Sequence, residues 1–249
     1  MKSRAGEKVY IYGTHALEEA LAARPDTIKK VYLAPDMRDG ALRAALAKHS
    51  IPIDVLKNGN ELAGRDAVHQ GVVALMDPSK LLQDFDTFIK QLEVRTSTSL
   101  ALLAEVQDPH NVGAIIRSAA AFGLAAVLIP EHNTASITGT VVKTSAGMAF
   151  RIPLVRIGNV NDALHKLKDR GFWTYGLNME GAPLGEEAFD APAVFVVGNE
   201  GAGIRQKTLE HCDIALAIPM HERTESLNAA ASAAITFYAW SAKHPSSLA

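Results

Sequence analysis

Three stretches of the chain put polar residues where apolar runs stop, and each could do chemistry. The first, QDPHNVGAIIRSAAAFG, follows the run LALLAEV. A helix is expected to begin near Asn111, whose carboxamide could cap it or reach a ligand. Gly113 admits another backbone at close range, and Arg117 lies one turn further on the same helix face. If buried among Ile115, Ile116, Ala119 and Ala120, that guanidinium needs an anionic partner; on a surface it needs none. The second stretch, VVGNEGAGIRQ, follows AVFVV. Gly198, Gly201 and Gly203 describe a loop whose backbone amides could face a ligand. Their order is not GxGxxG, and Glu200 would repel a phosphate while favouring a cation such as an arginine or a sulfonium. The third, IPMHERTESLNAAASAAI, carries Ser226 and Asn228 at a helix start, with Ser226 a candidate N-cap. The Ala/Ser-rich helix that follows suits close helix packing, within the domain or between two copies.

These stretches need a scaffold that brings them to one edge. Ligands of open α/β sheets bind beyond the carboxyl ends of strands. From about residue 99 onward, nearly continuous apolar runs (LALLAEV, AAVLIP, RIPLVRI, FWTYGLN, AVFVVG, IALAIP) alternate with helical patterns. That alternation argues for a mostly parallel sheet covered on both faces. An earlier block alternates KVYIYG, THALEEALAA, KKVYLAP, ALRAALAKHS, IPIDVL and GVVALMDP, with Thr14 a candidate N-cap. We therefore expect an α/β fold with a small α/β domain over 7–77, a linker over 78–98 and a larger α/β domain over 99–249.

Composition narrows the function classes. The 48% apolar content supports a real core, and no apolar run is long enough to span a bilayer. The start MKSRAGEKVYIYG has no apolar signal region, and the lone Cys212 rules out an internal disulfide or a multi-cysteine metal site, so a cytoplasmic protein is expected. Twenty-five Lys/Arg against 27 Asp/Glu give a net charge of −2, so a nucleic-acid surface would have to be a local patch. Arg4, Lys8, Lys29, Lys30, Arg38 and Arg43, with His15 and His69, are candidates for one, against the plain reading of a solvated face. The nine histidines are scattered, and neither His110 nor His221 is assigned a role.

Taken together, NVGAIIRSA, VVGNEGAGI and IPMHERTESLNAAASAAI resemble the SpoU branch of the SPOUT RNA methyltransferases. KVYIYGTHALEEAL and VHQGVVAL are similar to the L30e-like substrate-binding domain of the subgroup that methylates guanosine 2′-hydroxyls in the peptidyl-transferase region of 23S ribosomal RNA. The resemblance implies a deep trefoil knot in the C-terminal domain, a homodimer with sites completed across its interface, and S-adenosylmethionine as methyl donor, with no metal. Gly198, Gly203, Ile218, Met220, Leu227 and Asn228 would then hold the donor. Arg117 matches the family's catalytic arginine, with Asn111, Glu200, Ser226 and Asn228 orienting it and the ribose. Because a guanidinium keeps its proton in proteins, the arginine is better read as gripping the target's phosphate and stabilising the developing alkoxide, with phosphate or water taking the proton. Other readings are a transfer-RNA or other ribosomal-RNA methyltransferase, or a non-catalytic ribosome-assembly factor. A nicotinamide oxidoreductase would need GxGxxG after the first strand, where the chain has QDPHNVG.

Overall fold

The computed structural model describes residues 8–57, 62, 69–224 and 226–248. Arg4, among the candidate RNA contacts, lies outside them. The first unit comprises β1 (Val9–Tyr12), α1 (Thr14–Ala23), β2 (Ile28–Leu33), α2 (Gly40–Lys48), β3 (Ile53–Val55) and β4 (Val72–Met76). Its four strands lie in the order β1-β4-β2-β3, with β4 antiparallel to both neighbours and β3 parallel to β2. The period-2 pattern turns Ile11, Val31 and Leu33 inward onto Leu17, Leu42 and Leu46 of the two helices. Thr14 is the first helical residue and caps nothing; Gly13 precedes it at φ 90°, an angle a threonine would adopt only with strain.

The second unit holds β5 (Leu82–Asp84), α3 (Phe85–Gln91), β6 (Ser99–Leu103), α4 (Pro109–Ala121), β7 (Ala126–Pro130), α5 (Gly139–Thr144) and β8 (Leu154–Ile157). It continues with α6 (Val160–Lys168), β9 (Trp173–Pro183), β10 (Ala193–Val197), α7 (Gln206–Leu209), β11 (Ile214–Ala217) and α8 (Ala229–Lys243). The strands form one seven-stranded sheet, β11-β9-β10-β6-β7-β8-β5, in which every pairing is parallel. Both faces are covered, as the unbroken apolar runs require: Leu100 and Leu102 pack on the α3/α6 side, Ala101 and Leu103 on the α4/α8 side.

The stretch 78–98 is more than a linker. Leu82–Asp84 pairs with β8 as the sheet's edge strand, and Phe85, Phe88 and Ile89 bury one face of α3. Three residues are too few to show a strand period; the open edge of β8 decides the pairing. Nor are the two units separate bodies. One apolar cluster runs from Ile11 and Leu17 through Val112 and Ile115 to Val141 and Phe150, and Arg151 pairs with Glu19 across the junction. Removing residues 1–76 would therefore strip apolar cover from the second unit.

Part of the anticipated basic patch is engaged within the first unit itself. Lys29 pairs with Asp77 at 2.9 Å and Lys30 with Asp54 at 2.6 Å, while Arg43 donates to the Met37 carbonyl at 3.1 Å. His69 Nδ1 accepts from the Gly71 amide.

Candidate active site

The chain order of the large sheet reverses between β6 and β10. From β6 the chain moves outward through β7 and β8, then crosses to place β9, β10 and β11 on the other side. The crevice beyond the carboxyl ends of β6 and β10 is the topological switch point, where ligands of such sheets bind. The 104–108 loop, the 198–205 loop and, after β11, residues 218–224 and 226–228 all open there.

A cavity of about 290 Å³ lies at this edge. Gly198, Gly203, Ile218, Met220 and Leu227 line it, with Glu200 and Ser226. Leu177, Asn178 and Met179 from β9 also line it, and the sequence reading missed them. Leu177 and Asn178 end the apolar run FWTYGLN, but β9 continues to Pro183, and its irregular pairing with β11 beyond Gly176 is what local sequence did not show. A second cleft of about 350 Å³ sits at the junction of the two units, between Arg24, Gln83 and Arg151. It opens at the amino ends of β5 and β8, and both arginines already pair with carboxylates, Asp26 and Glu19.

A hydrogen-bonded relay joins the three loops. Asn228 caps α8, its Oδ1 accepting from the Ala230 and Ala231 amides at 2.9 and 3.3 Å. That anchors the amide's orientation, so Nδ2 must point away from the helix, and it donates to Asn111 Oδ1 at 2.9 Å. Asn111 is thereby forced to present its own Nδ2 to Glu200 Oε1, again at 2.9 Å. The Asp108 amide donates to the same carboxylate oxygen at 3.3 Å. Partial burial pushes the Glu200 carboxyl upward, but donation from Asn111 and from backbone amides outweighs it and holds the group below its ordinary value. Residues 89 and 117 positions apart in sequence thus share one polar chain.

Three local expectations are corrected. The helix after β6 starts at Pro109, capped by Asp108 through the His110 amide at 2.8 Å, so Asn111 sits buried in the first turn and is free to serve the relay. A proline at the first helical position has no amide to lose, which moves the start two residues earlier. Asn228, not Ser226, caps α8, leaving Ser226 on the cavity wall. Three amides of the glycine loop are taken up within the loop itself. Asn199 Oδ1 accepts from Gly201 and Ala202 at 2.9 and 3.1 Å, and Gly203 pairs with the Asn199 backbone. These bonds close the loop as an Asx turn around Asn199. A Cβ at Gly198 would overlap the Gly203 and Ile204 backbone, so only glycine lets this turn fold back over β10.

Glu105 braces the arrangement. It holds φ 66°, a conformation that costs a non-glycine residue roughly 1–3 kcal/mol. Arg205 grips its carboxylate at 2.7 and 2.8 Å, and Asn199 Nδ2 holds its carbonyl at 3.0 Å. This ties the loop after β6 to the loop after β10.

Arg117 stands apart from the relay. Gly113 does face a close neighbour as expected, since a Cβ there would come within 2.8 Å of the Val141 carbonyl of α5. One turn on, Arg117 is exposed and lines no part of the cavity. Among the described residues, no group of three or more His, Cys, Asp or Glu side chains is placed to hold a metal ion.

The SpoU rRNA Methylase family model matches residues 99–238, which include β6 through most of α8 and every loop of the cavity. The chain belongs to the SpoU rRNA methylase family. A second model, RNA 2′-O ribose methyltransferase substrate binding, matches residues 10–82, the four-stranded unit and the start of β5. The 23S rRNA (guanosine-2′-O-)-methyltransferase RlmB of Pseudomonas aeruginosa is 35% identical over 234 residues, 92% of this chain and 94% of the relative. The protein of the same name from Neisseria meningitidis is 34% identical over 229 residues, 90% of each chain. The crystal structure of the SpoU methyltransferase AviRb from Streptomyces viridochromogenes, solved in complex with AdoMet, shares the fold at a TM-score of 0.79 and 23% identity, covering 98% of this chain and 93% of that one. No helix among the described residues is long and apolar enough to cross a membrane.

Proposed function

We propose that this protein methylates the ribose 2′-hydroxyl of RNA from S-adenosylmethionine, with a guanosine of 23S ribosomal RNA as the acceptor. The observation that carries the reading is the switch-point cavity, apolar on one side and bordered on the other by a carboxylate held in its charged form. Leu177, Leu216, Ile218 and Leu227 offer a dry wall for an adenine, and Glu200 offers negative charge to a cation. The Gly201 and Ala202 amides are taken up by Asn199, and Glu200 would repel a pyrophosphate, which favours a cationic donor over a dinucleotide. Gly198, Gly203, Ile218, Met220, Leu227 and Asn228 are the residues we assign to holding it. When bound, the donor supplies an electrophilic methyl group on a sulfonium.

The rest of the work belongs to the chain. Asn111 and Asn228 keep Glu200 charged and the three loops in register. Ser226, on the cavity wall, is the residue we assign to hydrogen-bonding the ribose. Arg117 holds the acceptor's phosphate and stabilises the negative charge that develops on the 2′-oxygen, with phosphate or water taking its proton. Because Arg117 is exposed and absent from its own cavity wall, we assign it to the site of a second copy in a homodimer. The outer surface of α8, where Ile235 and Tyr238 remain 39% and 61% exposed, supports that contact. The 23S guanosine target rests on relatives of that name at about one-third identity; action in the cytoplasm follows from that substrate.

The test is mass-spectrometric mapping of ribose methylation in ribosomal RNA from cells with and without the protein, paired with calorimetry of donor binding. A single guanosine that loses its methyl group supports the proposal. Unchanged ribosomal RNA with a changed transfer RNA would move the substrate, and no donor binding would end the catalytic reading.

A further inference from the structure

The outer surface of the four-stranded sheet carries a cluster that the basic-patch reading overlooked. On β1 and β2 the residues that alternate with the core are Tyr10, Tyr12, Lys30 and Tyr32, all half-buried. Tyr12 and Tyr32 both register against Val73 of β4, which sets their strands about 9–10 Å apart. Tyr10 and Tyr32 lie 6.5 Å apart between ring centroids, tilted by 54°. Two ammonium groups hover over these rings, Lys30 Nζ at 5.5 Å from Tyr32 and Lys143 Nζ at 5.2 Å from Tyr12. Lys143 is exposed and belongs to α5, whose Gly139 lies against the Tyr10 carbonyl and whose Val141 and Thr144 meet Gly113 of α4. One short helix therefore separates this tyrosine surface from the helix that bears Arg117.

We propose that this surface is a stacking platform for unpaired nucleotides of the RNA substrate, which the protein would hold beside the methylation site. The inference rests on the RNA reading above and adds the substrate class, a single-stranded loop or bulge rather than a duplex. Bases of a duplex are stacked on one another and cannot reach a tyrosine, whereas splayed bases stack on aromatic rings whatever their identity. A lysine over a ring has a flexible four-carbon stem, so its ammonium moves to the adjoining phosphate as a base takes its place. Lys30 shares its charge with Asp54 at 2.6 Å, so Lys143 carries more of the phosphate contact. The arrangement also accounts for a protein of net charge −2 binding RNA, because stacking supplies what bulk charge does not.

The test uses the full-length protein and two labelled RNAs, an unstructured ten-nucleotide strand and a fully paired hairpin, read by fluorescence anisotropy. Tyr12→Leu and Tyr32→Leu should each weaken single-strand binding about 5- to 150-fold, the range for losing one base stack. Tyr12→Phe and Tyr32→Phe should stay within about twofold of the parent, and Lys143→Ala should reduce the salt dependence of binding. Donor affinity, measured on every variant, reports whether the leucine proteins are folded. Should they lose it, photocrosslinking of 5-iodouridine RNA to the unaltered protein decides instead, with adducts on Tyr10, Tyr12 or Tyr32 expected. Leucine variants that bind RNA like the parent, crosslinks elsewhere, or tighter binding of the hairpin would each overturn the platform. None of these results touches donor binding, so they leave the methyl-transfer reading to its own test.

Discussion

Asn228→Asp separates the two jobs of one side chain. Its Oδ1 caps α8, and its Nδ2 orients Asn111 toward Glu200. Aspartate caps a helix as well as asparagine and places negative charge at the helix N-terminus, so the cap survives. The donor to Asn111 does not. Asn111 then turns its Nδ2 to the new carboxylate and its oxygen to Glu200, and Glu200 loses its only side-chain donor among the described residues. A hydrogen bond to a charged group is worth roughly 1.5–3 kcal/mol, but Glu200 is exposed, and solvent screening cuts this to about 1 kcal/mol. The sign follows from linkage. The folded Glu200 sits below its ordinary value, so its stabilisation is present above the unfolded carboxyl range and is lost as pH falls through the folded value. Removing the donor raises the folded value and shrinks that acid-sensitive contribution. Asn228→Ala, by contrast, loses the cap and should cost about 1 kcal/mol at any pH, or about 2–4 °C in Tm for a chain of this size. Thermal unfolding from pH 3 to 8 should therefore show an alanine variant offset throughout. The aspartate variant should stay close to the parent below the carboxyl range; above it the weakened Glu200 contribution is offset by the new carboxylate at the helix N-terminus, so donor affinity is the readout that isolates the relay. Donor affinity at pH 7 should fall several-fold in both. An aspartate variant whose donor affinity matches the parent would refute the relay as the means by which Asn228 sets up the site.

Arg117→Ala should leave Tm within about 1–2 °C of the parent, since the side chain is exposed, and should keep donor binding while abolishing methylation of RNA. Arg117→Lys should also fail in the methylation assay, because a point charge cannot reproduce a planar fork. Gly198→Ala should reduce donor affinity more than tenfold by calorimetry, because the added carbon forces the turn off β10. Burial pushes the Cys212 thiol up to about 12, so it should resist iodoacetamide at pH 8 in the native protein and react only in denaturant, as followed by mass spectrometry.

Some of this was written in local sequence. Unbroken apolar runs identified the strands of the covered sheet, because a strand buried on both faces has no polar alternation to lose. The residues around the cavity were legible too, since Gly198, Glu200, Gly203, Ile218 and Met220 stand just past strand ends and Ser226 and Leu227 just before a helix start. Other features depended on neighbours that the local pattern does not contain. Leu82–Asp84 is a strand only because β8 offers it an edge, and a three-residue segment carries no period of its own. The caps moved from Asn111 to Asp108 and from Ser226 to Asn228 because several residues at each helix start could cap, and packing chose among them. The amides of the glycine loop looked available until Asn199 claimed two of them. Above all, Asn111 joins Glu200 and Asn228 because the chain reverses its strand order between β6 and β10, bringing distant loops to one edge. Hydrogen-bond polarity along that relay is set by the cap of α8 and transmitted through space, which is why composition and spacing name its members but only the folded chain gives their direction.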